Sequence, residues 1–191
     1  MLLAMVLAMA TAAAALPNPA ALFTFDGATT HAANAATGET FPLPALLQVR
    51  SGGVSGSCLA FARNDTSYVA IGRRFDISGD YTISFWMRTA PGYQETGSML
   101  MSRHMAGSFN GLWFMVNAEW GYGQKDKLTF YYSNATVVSH TSVNDGRWHH
   151  VGLVHRASGV ELSIDGRLEA KGGPVSETIP DVDFVLGAIT W

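Results

Sequence analysis

The sequence contains little charge, and neither sign is in large excess. Charged residues make up 14% of the 191 residues, with 12 Lys and Arg against 15 Asp and Glu. The charges are scattered singly, so the chain lacks the basic patch that a DNA or RNA partner requires. A hydrophobic share of 48% excludes a disordered chain. We therefore predict a folded domain with no nucleic-acid partner.

Cysteine and helical periodicity are also scarce. The single cysteine, Cys58, cannot form an intrachain disulfide, and we expect it to be buried and unpaired like a small hydrophobic side chain. After residue 15 no apolar run has helical spacing, which excludes a helical bundle. Short apolar runs separated by many of the 20 glycines favour a turn-rich β domain instead.

The residue patterns of the common hydrolases are missing. No G-x-S-x-G nucleophile motif occurs. Glycosidases need two carboxylates about 5–9 Å apart, but the nearest pair, Glu161 and Asp165, is four residues apart on one strand, roughly 13 Å. Strand alternation puts His149 and His155 on one face and His150 on the other, so the three rings cannot converge on a zinc ion. We predict that the chain is not an enzyme.

The first fifteen residues have the composition of a secretory signal peptide. They read MLLAMVLAMATAAAA and carry no charged side chain. We predict cleavage before Leu16, or as late as residue 20, and hence a secreted or cell-surface protein whose mature chain has no membrane span. An uncleaved membrane anchor is the alternative. Export would make Asn64 and Asn134, each in an N-x-[ST] pattern, candidate glycosylation sites.

Alternating or short apolar runs recur about every ten residues, which is typical of an all-β sandwich. Asp165 and Gly166 predict a two-residue hairpin between two such runs. Leu112–Val116 is apolar on both faces and predicts a central strand. The predicted strands are Ala21–Asp26, Cys58–Ala62, Tyr68–Ile71, Tyr81–Arg88, Ser98–Arg103, Leu112–Asn117, Lys127–Tyr132, Val137–Thr141, Trp148–Arg156, Val160–Asp165, Arg167–Ala170 and Phe184–Gly187, with Leu46–Val49 as a weaker candidate.

One stretch resembles a known family. Asn144–His155, followed by Gly159–Gly166, is similar to the "dG.WHHVA … l.iDG" signature of laminin-G-like domains, which are related to pentraxins and to the concanavalin A-like lectin/glucanase superfamily. Ala21–Asp26 and Phe75–Trp86 match in the same order. The resemblance implies a two-sheet antiparallel jelly-roll sandwich over residues 21–191. Nothing matches the family's closing segment, so we predict a C-terminally truncated domain without its closing strand or strands.

Three large side chains are expected in the core of this sandwich: Trp86, Trp148 and His150. Trp148 should be almost fully buried between the two sheets, because its indole is the largest apolar surface in the signature. On that hypothesis Trp148→Ala would cost about 3–5 kcal/mol.

The loop Glu119–Gln124 has the composition of a ligand-binding loop. Trp120 and Tyr122, spaced by glycines, could present flat rings to a sugar, and the side chains of Glu119 and Gln124 could bond its hydroxyls. The alternative is a hairpin loop whose Trp120 packs on the rim of the sandwich.

Calcium is the one cofactor that the resemblance suggests, since many laminin-G-like and pentraxin domains bind it through loop oxygens. Asp26 follows the first predicted strand, and Asn34 stands where relatives often have a second acid. The alternative cluster is Asp181 with Asp183. Either pair could instead be ordinary turn or edge residues.

These observations favour a secreted or cell-surface binding module without chemistry of its own, taking a glycan or an extracellular protein as ligand. Two alternatives stay open. The chain could be the lectin-like accessory domain of a larger glycoside-active enzyme, or a structural adhesion or spacer domain.

Overall fold

The computed structural model describes most of the chain. The described residues are 2–6, 19, 21–27, 30–45, 47–62, 67–73, 75, 77–105, 107, 110–119, 121, 123–176 and 178–188. The described residues include no helix that is long and apolar enough to cross a membrane.

The described residues form fifteen strands. In chain order they are β1 Leu2–Val6, β2 His31–Ala33, β3 Thr40–Pro42, β4 Gln48–Ser51, β5 Ser57–Ala60, β6 Val69–Ala70, β7 Tyr81–Arg88, β8 Ser98–Arg103, β9 Leu112–Val116, β10 Lys127–Tyr132, β11 Ala135–Ser142, β12 His149–Arg156, β13 Gly159–Ile164, β14 Arg167–Gly172 and β15 Val185–Leu186.

Two large antiparallel sheets make up the sandwich. One has seven strands in the order β14-β13-β12-β7-β1-β5-β4, and the other has six in the order β11-β10-β9-β8-β15-β6. A separate hairpin pairs β2 with β3. The predicted all-β, two-sheet antiparallel sandwich is confirmed.

The core lies between the inner faces of the two large sheets. In β7 every second side chain, including Ile83 and Phe85, is buried, as strand alternation requires. Phe85 meets Phe114 of β9 edge to face, with ring centroids 5.2 Å apart. Because β7 and β9 belong to different sheets, this contact joins the two layers.

Tight turns connect neighbouring strands, and one of them lies where the sequence predicts it. Asp165 and Gly166, with φ of 52° and 77°, form the two-residue turn between β13 and β14. Ser133 and Asn134, also at positive φ, join β10 to β11.

Of the two candidate glycosylation sites, Asn134 is exposed at this hairpin tip, whereas Asn64 lies outside the described residues. Glycosylation at either site stays a prediction.

The segment Ala21–Asp26, predicted as a strand, has no strand pairing. It still buries Ala21, Phe23 and Phe25 in the core, but Phe25 has a φ of 61°, which interrupts an extended ladder. The Asn34 side chain provides part of the missing pairing, because its Oδ1 accepts the backbone N–H of Leu22 at 3.0 Å.

The N-terminal part of the chain contributes a strand that the sequence did not predict. Leu2–Val6, inside the predicted signal peptide, forms β1 between β7 and β5 of the seven-stranded sheet. Part of the predicted leader thus has a place in the sheet. Its cleavage stays a prediction.

The three aromatic residues expected in the core are placed elsewhere. Trp86, Trp148 and His150 are half-buried, and none belongs to the buried core between the sheets. The reason is alternation: on β7, Phe85 and Met87 point inward, so Trp86 between them must point outward. The prediction of a buried Trp148 is therefore wrong, and its truncation should cost less than a core aromatic.

Cys58 on β5 is buried and unpaired, as expected. Its Sγ lies 3.6 Å from the carbonyl oxygen of Arg50, to which it donates. Burial raises the pKa of the Cys58 thiol, and it outweighs the positive charges of Arg88 and Arg50, which lower the pKa.

We expect a thiol reagent to label Cys58 very slowly in the native protein and at once in the urea-unfolded protein. Mass spectrometry of the labelled protein measures both rates. Rapid labelling of the native chain would contradict the buried position.

Candidate ligand-binding site

The outer faces of the two large sheets differ in chemistry. On the six-stranded sheet, Trp113, Met115 and Tyr131 form a buried apolar cluster in which the Trp113 and Tyr131 rings stack at 4.9 Å. On the seven-stranded sheet, the outward residues of β7, β12 and β13 are half-buried and mostly polar or aromatic. Among the described residues, the second face carries half-exposed aromatic rings beside polar groups, so we take it as the candidate site.

Trp86 and His150 form the aromatic part of this outer face. They are register partners on β7 and β12, and their ring centroids lie 5.0 Å apart at 52°. Ser84, two residues before Trp86, shares a hydrogen bond of 2.7 Å between its Oγ and Nε2 of His150. The bond orients the imidazole, and the two half-exposed rings beside a hydroxyl form a mixed apolar and polar surface.

A row of small residues runs from this pair across the sheet. Gly152 of β12 lies in register between Ser84 of β7 and Ser163 of β13. A Cβ at Gly152 would come within 2.6 Å of the Ser163 Oγ, so a side chain here would displace that hydroxyl. The Ser163 hydroxyl, which donates to the Gly152 carbonyl oxygen at 3.1 Å, occupies this space, so the row presents small polar groups next to the Trp86 and His150 rings.

A cleft of about 440 Å³ continues this face towards the ends of β5 and β7. Two arginines, Arg50 on β4 and Arg88 on β7, line it together with Gln48, and no Asp or Glu is among the described residues that line it. The cleft is therefore positively charged. Its lining residues are Gln48, Arg50, Ala60, Phe61, Ala62, Arg88, Thr89, Ala90, Pro91 and Gly146.

The two guanidinium groups are held in different ways. The Nε and Nη2 atoms of Arg50 donate to the Gln48 Oε1 at 3.0 and 2.6 Å. The guanidinium of Arg88 lies over the ring of Trp148, 5.0 Å from its centroid, which is a cation–π contact. Neither contact neutralises the positive charge, so both groups can still bind an anionic or hydroxylated ligand.

The predicted ligand loop is only partly described. Glu119 and Gln124 are exposed, while Trp120 and Tyr122 lie outside the described residues. Asn117, at the base of the loop, accepts the Asp126 backbone N–H at its Oδ1 and donates from Nδ2 to the Tyr93 carbonyl oxygen. The loop is thus anchored at its base, and a sugar platform formed by Trp120 and Tyr122 stays a prediction.

The residues predicted to bind calcium have other hydrogen-bond partners. Asn34 is fully buried, and its Oδ1 accepts backbone N–H groups from Leu22 and Ala36, which occupies both lone pairs of that oxygen. Asp26 is exposed and accepts the Ser57 N–H at 2.7 Å. Within the described ranges, no cluster of three or more His, Cys, Asp or Glu side chains could hold a metal ion. Asn34 is therefore a structural amide.

The alternative acidic cluster is an exposed ion-pair group. Asp181 and Asp183 flank Arg73 at 3.1 and 3.2 Å. The hydrogen bond to Asp183 and the charge of Asp181 raise the pKa of Arg73. The two carboxylates are thus engaged with a guanidinium.

Glu161 and Asp165, the pair weighed above as glycosidase carboxylates, have separate partners. Glu161 pairs with Lys171 at 2.6 Å, and the hydrogen bond and charge of Lys171 hold its pKa below the ordinary value. An oxygen of Asp165 lies 2.8 Å from Nδ1 of the buried His149, and an oxygen of Asp145 lies 3.1 Å from Nε2 of the same ring.

The three histidines of β12 do not converge. The rings of His149 and His155 lie inward and that of His150 outward, as alternation predicts.

Sequence reasoning missed Ser84, Arg88, Gln48 and Arg50 as site residues. The signal for the first two was present, since the alternation that buries Phe85 also puts Ser84 and Arg88 on the outer face. For Gln48 and Arg50 no local signal exists, because the cleft is completed by strands far apart in sequence.

The fold and the mixed polar and aromatic outer face define a lectin-like β-sandwich. The family model Laminin_G_3, of the concanavalin A-like lectin/glucanases superfamily, matches residues 63–191. That span is more than half of the chain, and the chain belongs to this family. No curated protein sequence matches the chain significantly.

Several solved structures are similar to this chain. Domain 4 of AbnA, a GH43 extracellular arabinanase from Geobacillus stearothermophilus solved with arabinotriose, has a TM-score of 0.62 at 17% identity, covering 87% of this chain and 82% of that chain. Domains LG4-5 of the mouse laminin α1 chain have a TM-score of 0.48 at 13% identity, covering 64% and 31%. The carbohydrate-binding module CBM66 from Bacillus subtilis has a TM-score of 0.33 at 15% identity, covering 73% and 82%. The likeness to the AbnA domain shows a shared fold.

Proposed function

We propose that this chain is a secreted or cell-surface, non-catalytic carbohydrate-binding module, and that its sugar site is the outer face of the seven-stranded sheet. The observation that carries the proposal is the half-exposed pair of Trp86 and His150 beside the hydroxyl of Ser84. A sugar ring has an apolar face and a rim of hydroxyls, so a site for it needs flat rings next to fixed polar groups. Export is supported by the apolar leader, residues 1–15.

The positively charged cleft refines the ligand class. Arg50 and Arg88 face a space whose described lining residues include no carboxylate, and guanidinium groups bind carboxylate groups with paired hydrogen bonds. We therefore expect an oligosaccharide with an acidic group on the sugar that reaches the cleft. The neutral part of the ligand would lie over Trp86 and the row of small residues through Gly152.

The test compares two arginine variants on the full chain. Arg88→Gln should lower the affinity for an acidic oligosaccharide by about tenfold, since one charge-assisted hydrogen bond is lost, and should leave the affinity for its neutral analogue almost unchanged. The matched control is Arg167→Gln, which removes an exposed arginine at the far edge of the same sheet. Titration calorimetry measures both affinities.

A ring variant tests the sugar face itself. Trp86→Ala should abolish binding of acidic and neutral sugars alike, while Trp86→Phe should retain most of it because the flat ring is kept. If Trp86→Ala bound sugars as well as the parent and had a normal melting temperature, the outer face of the seven-stranded sheet would not be the sugar site. Binding only to proteins on a combined glycan and pull-down screen would favour a protein-binding module instead.

A further inference from the structure

Arg88 lies where the proposed sugar face meets the charged cleft. It is the last residue of β7 and lines the cleft, and Trp86 precedes it by two residues on the same outer face, roughly 6.6 Å along the strand. Trp148 directly precedes β12, the strand that pairs with β7, and its ring centroid lies 5.0 Å from Cζ of Arg88. A sugar stacked on Trp86 would therefore have its acidic group next to the Arg88–Trp148 pair.

The guanidinium of Arg88 keeps its hydrogen-bond donors available. Three other arginines, Arg73, Arg147 and Arg156, each pair with a carboxylate, and Arg50 uses its Nε and Nη2 atoms on Gln48. Among the described residues, no acceptor bonds the guanidinium of Arg88, whose ring contact is with a neutral side chain. All five of its N–H donors can therefore serve a ligand.

The Trp148 ring restricts the Arg88 side chain without using these donors. A guanidinium is planar, with its N–H groups at the edges of the plane, so an aromatic ring that covers one face leaves the edges open. An arginine side chain is long and flexible, and a ligand that fixes it reduces its conformational entropy. A ring contact in the free protein already removes part of that freedom, so a ligand loses less on binding.

We propose that Trp148 sets the preference of this site for an acidic sugar, by holding the Arg88 guanidinium in position to bind a sugar carboxylate through two parallel N–H groups. Trp148 is a positioning residue, since it acts through Arg88 and does not itself contact the ligand. The inference rests on the proposed sugar site and adds the residue that determines its specificity.

The test uses the full chain with three uronic-acid trisaccharides, built from galacturonate, glucuronate or mannuronate, and with the methyl ester of each. The ester keeps the shape of the sugar and removes its negative charge. Titration calorimetry gives the ratio of the affinities for acid and ester, which is the acid preference, for the pair that binds most tightly.

Trp148→Leu should lower the acid preference by about three- to tenfold, which is the size expected for a lost cation–π contact at a half-buried site. The affinity for the ester should stay that of the parent. Trp148→Phe keeps a flat ring and should retain most of the preference. Arg88→Lys should lower the preference, because an ammonium keeps the charge but lacks the planar set of donors.

A double variant separates positioning from direct contact. In an Arg88→Gln background, Trp148→Leu should have no further effect on the acid preference, because no guanidinium is left to hold. The matched control is Val154→Ala, which truncates a half-buried side chain on the same outer face of β12, away from Arg88. Val154→Ala should keep the acid preference of the parent.

The outcomes distinguish this inference from the proposed function. If Arg88→Gln loses the acid preference and Trp148→Leu keeps it, the positioning role is wrong and the acidic ligand stands. If the effects of the two substitutions add, Trp148 acts independently of Arg88, and the positioning role is wrong as well. If no trisaccharide binds, or if Arg88→Gln keeps the full preference, the acidic ligand of the proposed function fails, and this inference fails with it.

Discussion

Phe114→Ala should lower the free energy of unfolding by about 3–5 kcal/mol, as large aromatic truncations in a packed core do. Phe114 is fully buried and touches two rings: Phe85 of the opposite sheet at 5.2 Å and Phe130 of the neighbouring strand at 4.7 Å. Its removal leaves a cavity at the junction of the layers, which rigid strands cannot close. Urea denaturation followed by tryptophan fluorescence measures the change.

The matched control is Leu168→Ala, because Leu168 is a large hydrophobic residue that is 55% exposed. A substitution at such an exposed position should change the free energy of unfolding by no more than about 0.5 kcal/mol. Combining Phe114→Ala with Phe85→Ala in a double-mutant cycle should reveal a coupling of about 0.5–1.5 kcal/mol for the edge-to-face pair. A stability loss in Phe114→Ala no larger than that in Leu168→Ala would contradict a core that joins the two sheets at this ring.

The alternation of apolar residues explains why much of the fold could be predicted. In Tyr81–Arg88 every second residue is buried, and the strand bounds agree with the prediction. Asp165 and Gly166 form the predicted turn because their backbone conformation is a local property of the residues. Such features depend on neighbours within a few residues, which a single sequence displays.

Features that depend on distant segments could not be predicted in the same way. Leu2–Val6 has the apolar composition of a leader and of a buried strand alike, and its pairing with β7 lies some eighty residues away in the chain. A core position for Trp86 requires the second face of its strand to be covered, whereas alternation groups Trp86 with Ser84 and Arg88 on a half-buried face. The cleft needs Arg50 and Arg88 from two separate strands, and no local pattern brings them together.

Glu169→Gln should destabilise the protein by about 2–3 kcal/mol at neutral pH, because it removes charge-assisted hydrogen bonds in a buried place. Glu169 of β14 reaches across to β11 of the other sheet. Its Oε2 accepts the backbone N–H groups of His140 and Thr141 at 2.7 and 2.6 Å, and its Oε1 accepts the Thr141 hydroxyl at 2.8 Å. A glutamine amide keeps the shape, but one of its two polar atoms is a donor and cannot accept these bonds.

The pH dependence follows from the same contacts. Burial acts to raise the pKa of Glu169, but the hydrogen bonds from Thr141 and His140 outweigh it and hold the pKa below the ordinary value of 4.5. A carboxylate whose pKa is lower in the folded state stabilises the fold fully above its unfolded pKa, and loses that contribution as pH falls through the folded pKa.

The stability gap between the parent and Glu169→Gln should therefore be constant near neutral pH and narrow as the pH falls below the ordinary pKa of 4.5 and through the lower pKa of the folded protein, where the native carboxylate becomes protonated. Urea denaturation of both proteins across this range measures the gap. Glu161→Gln on the neighbouring strand β13 is the matched control, because Glu161 pairs with Lys171 at the surface and surface ion pairs contribute little. A gap that is equally wide at acid and neutral pH, or a control as damaging as Glu169→Gln, would show that Glu169 does not join the two sheets through its charge.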